Sequence, residues 1–117
     1  MAQTTKEEFL MRVIFVFAVT FMMSSIVYGS VQDGTVTRVS VRNNGVHWFY
    51  VTGNRTARPD CATFTYWFIQ DENSVSGKSQ FSMLLSAYLS GKTVTIEGTG
   101  SCSRHHDGED IKDVVLR

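Results

Sequence analysis

This chain has few cysteines, a single proline and no excess of charge of either sign. These features limit the classes of protein to which it can belong. With one proline in 117 residues and a hydrophobic fraction of 43%, the composition argues against a disordered chain. Lysine and arginine together number 11, as do aspartate and glutamate, and no basic run occurs. The chain therefore lacks the charge pattern of a nucleic-acid-binding protein. It also lacks repeats and low-complexity tracts, which favours a single domain.

One hydrophobic run stands near the start of the chain. Charged residues that include Lys6 and Arg12 lead into an apolar segment over 13–23, and small residues follow. This succession is typical of a secretory signal peptide. An uncleaved membrane anchor is the alternative, but the run is shorter than the ~20 apolar residues that a bilayer requires.

We therefore predict a signal peptide over 1–29, cleaved after Gly29, and a mature domain over 30–117. Ser25 and Ser30 would allow cleavage at neighbouring bonds. The mature protein is then periplasmic or secreted, with no membrane span after cleavage.

The two cysteines, Cys61 and Cys102, both lie in the predicted mature domain. An even number of cysteines in an exported protein predicts one disulfide, and a pair of free buried thiols is the alternative. A metal site at either cysteine is disfavoured, because no second Cys or His lies beside it at ligand spacing.

Sequence patterns predict five strands and one helix in the order β-β-β-α-β-β. Alternating and β-branched segments indicate the strands, and Asn43-Asn44-Gly45 indicates a tight turn between the first two. The predicted strands cover 35–42, 46–52, 61–69, 92–97 and 110–116.

A helix is predicted over 79–90, because its apolar residues recur at helical spacing. Ser79 or Ser76 would cap its start, and Gly91 would take the left-handed position past its end. The residues expected to face the core are Phe81, Leu84, Leu85 and Tyr88.

This element order is that of the OB-fold, a small, partly open five-stranded Greek-key barrel. The predicted fold is therefore mainly β, an OB-fold-like barrel with one helix plugging one end.

The second strand carries large apolar side chains on both of its faces. Trp48 and Tyr50 point to one side, and Phe49 and Val51 to the other. One set enters the core. The other set lies on the outer face of the barrel, where something other than the core must shield it from water. Three explanations stay open: the helix and loops cover it, it forms a subunit interface, or it binds a ligand directly.

No catalytic set can be assembled from this sequence. The segment from His105 to Glu109 resembles a metal site, but adjacent histidines rarely converge on one ion, so a solvated loop is favoured. No nucleophile and base stand at a recognisable spacing. We therefore predict a protein that is not an enzyme and has no metal or other cofactor.

Four segments together resemble a group of small, uncharacterised exported bacterial proteins. They are Asp33-Gly34-Thr35-Val36, Phe81-Ser82-x-Leu84-Leu85-x-Ala87, Gly91-Lys92-x-Val94-x-Ile96 and Gly98-Thr99-Gly100-Ser101-Cys102. This resemblance covers most of the mature chain and implies export and a disulfide.

The opening Asp-Gly, the aromatic second strand and the Phe-Ser-x-Leu helix also resemble the B subunits of pentameric bacterial toxins, of the subtilase cytotoxin and pertussis type. The resemblance implies an OB-fold, a five-membered ring and binding of sialylated glycans. In that family an Asp and a hydroxyl residue contact the sugar, and the matching positions here are Asp33 and Thr37. Alternation gives Thr37 a second interpretation, as a barrel-facing residue beside Val39.

The sequence thus leads to one functional hypothesis and one alternative. The first is an exported carbohydrate-binding module that acts as a homo-oligomer, with a pentamer as the expected ring and a catalytic toxin subunit as a partner. Asp33 and Thr37 would hydrogen-bond the sugar, and Trp48 or Tyr50 would stack on it. The alternative is a periplasmic structural or protein-interaction domain without a sugar ligand.

Overall fold

The structure is a computed structural model, which describes residues 7–8, 10–11 and 29–117. Most of the predicted signal peptide lies outside the described residues. The structure therefore does not test this prediction. Within the described residues, no helix has the length and apolar character to cross a membrane.

Residues 29–117 form six strands and one helix, which we number in chain order. They are β1 Val31–Val41, β2 His47–Val51, β3 Arg55–Thr56, β4 Trp67–Phe68, α1 Val75–Ser90, β5 Thr93–Gly98 and β6 Glu109–Leu116.

The first two strands form an antiparallel hairpin, as their alternating sequences predict. Its turn is closed by a 2.9 Å hydrogen bond from the Gly45 amide to the Arg42 carbonyl. Gly45 has a φ of 91°, a left-handed conformation that glycine adopts without steric cost. The pairing runs from Val41 opposite His47 to Val36 opposite Val51, and β1 begins four residues before the predicted start.

The third predicted strand is much shorter in the structure than the predicted range 61–69. Only Trp67 and Phe68 are in β4, while the residues before them form turns and irregular backbone. The apolar pattern was real, since Trp67, Phe68 and Ile69 are all buried. Ala62, within the irregular segment, is buried as well, and a hydrophobic pattern cannot distinguish such burial from strand pairing.

The helix begins at Val75, four residues before the predicted start, and the residue that caps it is Ser74. The Ser74 hydroxyl accepts a 2.9 Å hydrogen bond from the Gly77 amide, as an N-cap does. Gly91 ends the helix in the left-handed conformation, as predicted, and its amide donates to the Ala87 carbonyl.

The buried face of α1 is only partly the predicted one. Leu84 is buried and Phe81 packs against the core, but Leu85 and Tyr88 are exposed. The residues that complete the buried face are Gly77 and Ala87. The small side chains let the helix lie close to the barrel, and a hydrophobicity pattern overlooks them.

The strands close into a five-stranded barrel, which confirms the predicted OB-fold-like architecture. β1 pairs with β2 and β5, β5 pairs with β6, and β2 pairs with β4, all antiparallel. A parallel pairing of β4 with β6 completes the circuit. The short β3, which lies in a predicted loop, adds to the start of β1.

The disulfide between Cys61 and Cys102 is present, with 6.1 Å between the two Cα atoms. It links the irregular segment before β4 to the loop before β6. The two cysteines therefore connect the segments that lead into the parallel pair of strands, where the barrel closes.

Candidate functional site

Four aromatic side chains form one cluster on the outside of the barrel. Trp48 and Tyr50 come from the outward face of β2, while Phe49 and Val51 of the same strand are buried in the core. Phe64 and Tyr66 come from the irregular segment before β4. We call Trp48, Tyr50, Phe64 and Tyr66 the aromatic patch.

Tyr66 lies at the centre of the patch. Its ring centroid is 5.2 Å from that of Trp48, 5.4 Å from that of Tyr50 and 5.2 Å from that of Phe64. The Phe64 and Tyr66 rings are stacked, with 17° between their planes. Such contacts fix ring orientations and leave a preformed apolar surface. Phe64 is 51% exposed, and the other three rings are half-buried.

Arg38 places a positive charge over one edge of the patch. Its guanidinium carbon is 5.9 Å from the Trp48 ring centroid and 5.8 Å from that of Tyr50, within cation–π range. Arg38 stands opposite Tyr50 in the β1–β2 pairing, so the register of the hairpin brings the two together.

The patch also contains an unsatisfied hydrogen-bond donor. The Trp48 indole Nε1 is buried and has no acceptor among the described residues. A buried N–H without a partner costs free energy comparable to a lost hydrogen bond.

The loop from Arg104 to Gly108 forms the other border of the patch. The Tyr66 hydroxyl donates to Asp107 Oδ2 at 3.3 Å, and Asp107 Oδ1 lies 2.5 Å from His105 Nδ1. Burial, followed by the negative charge of Asp107, raises the pKa of Tyr66. Tyr66 is therefore a neutral hydroxyl at physiological pH.

The same loop brings three metal-ligating residue types together. His105, His106 and Asp107 each offer a ligand atom, and these atoms lie within 4.8 Å of one another. Asp107 already accepts from Tyr66 and contacts His105, and Arg42 Nη1 lies 3.5 Å from His105 Nε2. His105 and Asp107 are thus engaged within the protein with a cation beside them, whereas the His106 side chain is 86% exposed, which agrees with a polar loop. That the protein binds no metal remains a prediction.

Asp33 and Thr37, the residues that the toxin resemblance implies, both lie on β1 and both are exposed. An oxygen of Asp33 accepts a short hydrogen bond from Thr95, and Arg117 Nη2 is 3.5 Å away. Thr95 of β5 and Arg117 thus both contact the Asp33 carboxylate.

The structure contradicts the alternative interpretation of Thr37 as a barrel-facing residue. The β1–β2 pairing is irregular between Val36 and Arg38, with Thr37 as the extra residue. Val36 is buried and Thr37 is exposed, next in the chain to Arg38 of the patch.

Of the four predicted ligand residues, only Trp48 and Tyr50 belong to the aromatic patch. Trp48 and Tyr50 contact each other, with ring centroids 5.7 Å apart. Thr37 adjoins them through Arg38, whereas Asp33 lies further along β1, and within residues 29–117 no hydrogen bond or ion pair links it to the patch. The sequence did not single out Arg38. Phe64 and Tyr66 lie within the predicted third strand, but their meeting with β2 depends on tertiary structure.

Comparisons with protein-family models, with curated proteins and with solved structures found no match for this chain.

Proposed function

We propose that this protein is an exported, non-enzymatic module that binds carbohydrate as a homo-oligomer. The observation that carries the proposal is the aromatic patch, a preformed apolar surface with an arginine at its edge on the outside of a small barrel. An aromatic surface exposed on so small a domain marks an interaction site.

The chemistry of the patch suits a sugar. The apolar face of a pyranose ring packs against aromatic rings, and polar groups at the rim fix its orientation. The Tyr50 hydroxyl and the Arg38 guanidinium provide such groups. Arg38 also favours a sugar that carries a carboxylate, which agrees with the sialylated glycans implied by the resemblance to toxin B subunits.

A larger glycan would extend from the patch along β1. Thr37 follows directly on the patch, and Asp33 offers a carboxylate acceptor further along the strand, 57% exposed at its side chain. The resemblance adds a pentameric ring and a catalytic partner subunit to this proposal.

The test is a glycan array probed with the mature, oxidised protein, together with its solution mass by light scattering. We expect a pentamer that binds sialylated glycans and loses binding when the sialic acid is removed. Phe64→Ala, at the most exposed ring of the patch, should weaken binding at least tenfold.

Tyr88→Ala is the matched control, because Tyr88 is an aromatic residue 48% exposed on α1, outside the patch. It should leave glycan binding unchanged. Asp33→Ala tests the extension along β1 and should weaken binding of larger glycans more than binding of monosaccharides. A protein that ignores the whole array contradicts glycan binding and leaves the alternative, a patch that docks a protein partner.

A further inference from the structure

Glu109, the first residue of β6, is fully buried, and each of its two carboxylate oxygens accepts two hydrogen bonds. Its Oε1 accepts from Arg55 Nη2 at 2.8 Å and from the Ser30 hydroxyl at 2.5 Å. Its Oε2 accepts from the amides of Ser30 at 3.1 Å and Gly100 at 3.0 Å. A carboxylate taken out of water requires such a set of donors.

Two of these four donors belong to Ser30, which is itself fully buried. The Ser30 carbonyl completes the attachment by accepting from the Gly98 amide at 2.8 Å. Gly98 is required here, since a Cβ on it would stand 1.7 Å from Glu109 Oε2. Three polar groups of Ser30 are therefore held by β5 and β6.

Ser30 is also the first residue of the predicted mature domain. Cleavage after Gly29 would convert its amide, a neutral donor, into an α-ammonium group 3.1 Å from a buried carboxylate. Charge-assisted hydrogen bonds are about twice as strong as neutral ones.

Charged groups of both signs surround this position. Arg55 and Glu109 form one ion pair, in which burial lowers the pKa of Arg55 while Glu109 opposes that shift. Glu97 of β5 and Lys112 of β6 line a cavity of about 320 Å³ beside Gly29 and Ser30. The cavity thus adds one acidic and one basic side chain to the Arg55–Glu109 pair beside Ser30.

We propose that the exported chain is cut at the Gly29–Ser30 peptide bond before the barrel folds, and that the freed Ser30 α-ammonium then docks on Glu109. Hydrolysis by a signal peptidase breaks the carbon–nitrogen bond and adds water, which leaves a carboxylate on Gly29 and an ammonium group on Ser30. Cleavage must come first, because the folded barrel buries Ser30 and packs Gly29 against Gly98.

The neighbouring bonds fit this attachment less well. Cleavage after Ser30 would remove its hydroxyl and amide and leave Glu109 with two of its four donors. Cleavage after Ser25 would put the amine on Ile26, four residues before Ser30, the residue that contacts Glu109. The proposal rests on the export part of the proposed function and is independent of glycan binding.

The first test expresses the full chain with its own leader in a bacterium and measures the intact mass of the product. A chain that begins at Ser30 supports the proposal. A product cut at another bond overturns it while leaving export intact, and an uncut product overturns both export and this proposal. Glycan binding is measured separately, so its failure has no bearing on this result.

The second test asks whether the amine contacts Glu109. Ser30 is fully buried in the folded barrel, so an amine docked on Glu109 is shielded from an acylating reagent that reaches it freely in the unfolded chain. We expect acylation of this amine at pH 7 to be about tenfold slower in the folded protein than in urea.

Two variants complete the second test. Glu109→Gln should restore the ordinary acylation rate, as measured by peptide mass spectrometry. A protein that keeps Gly29 as its first residue moves the amine outward and should react at the ordinary rate without loss of the barrel's circular dichroism. An α-amine that reacts equally fast in the native protein and in the protein that keeps Gly29 would overturn the proposal, even if Glu109→Gln fails to fold.

Discussion

At the scale of single residues, one ion pair joins the two loops that lie beside the hairpin turn. Glu72, before α1, accepts from Arg104 Nε at 3.0 Å and Nη2 at 2.5 Å, and both residues are half-buried. Two parallel hydrogen bonds make this a geometrically specific pair. The hydrogen bonds from Arg104 lower the pKa of Glu72, against the effect of burial.

We expect Glu72→Gln to lower the free energy of unfolding by about 1 kcal/mol at pH 7, because a charged acceptor becomes a neutral one. The folded-state pKa of Glu72 lies below the unfolded value of about 4.3, so this stability is present above pH 4.3 and is lost as pH falls through the folded value. Urea unfolding at pH 7 and pH 3 measures both differences.

The control for this prediction is Asp113→Asn, which removes one negative charge from an exposed position on β6. It should change stability by much less at pH 7. A Glu72→Gln protein that loses as much stability at pH 3 as at pH 7 would show that packing, rather than the ion pair, explains the loss.

At the scale of elements, α1 is capped by Ser74, whereas Ser76 and Ser79, the two predicted caps, lie inside the helix. Ser74→Ala removes the acceptor for the Gly77 amide and should lower the free energy of unfolding by about 1 kcal/mol. Ser76→Ala and Ser79→Ala place alanine on exposed helical positions and should leave stability unchanged or slightly higher. Thermal and urea unfolding of the three variants measure the contrast, and equal losses at Ser76 or Ser79 would contradict the observed helix start.

The elements also show how far sequence patterns reach in this protein. The barrel, the helix and the hairpin turn could be predicted, because alternation, helical spacing and Gly45 each report a local preference. The irregular segment before β4 could not, because Phe64 and Tyr66 meet their neighbours through tertiary contacts rather than through strand pairing. The bulge at Thr37 reverses the expected side of that residue, and one extra residue leaves no mark in an alternating sequence.

The candidate site was predictable to the same extent. Trp48 and Tyr50 were identified because β2 carries more aromatic residues than one core face can use. The contribution of Phe64, Tyr66 and Arg38 depends on which strands are neighbours, and the link from Ser30 to Glu109 spans 79 residues. Contacts of this kind follow from the closed barrel rather than from any local segment.

At the scale of the whole molecule, barrel closure depends on a short contact. β4 and β6 pair through only two positions, Trp67 opposite Glu109 and Phe68 opposite Asp110. Cys61 lies six residues before Trp67, and Cys102 lies seven residues before Glu109. The Ser101 carbonyl, one residue before Cys102, accepts from the Asp110 amide at 3.0 Å, so the linked segment also contacts β6 directly.

Replacing both cysteines with alanine should therefore lower the free energy of unfolding by about 4 kcal/mol, the chain-entropy value for a sequence separation of 41 residues. Urea unfolding compares this variant with the wild-type protein, and reduced wild-type protein is the control that should match the variant.

Because the disulfide joins the segments that lead into the closing strands, the loss of stability should also be local. Amide hydrogen exchange at Phe68 and Asp110 should accelerate more than exchange at Val94 and Ile96 of β5. Uniform acceleration across all strands would instead mean that the disulfide acts only on the unfolded chain and has no part in holding the barrel closed.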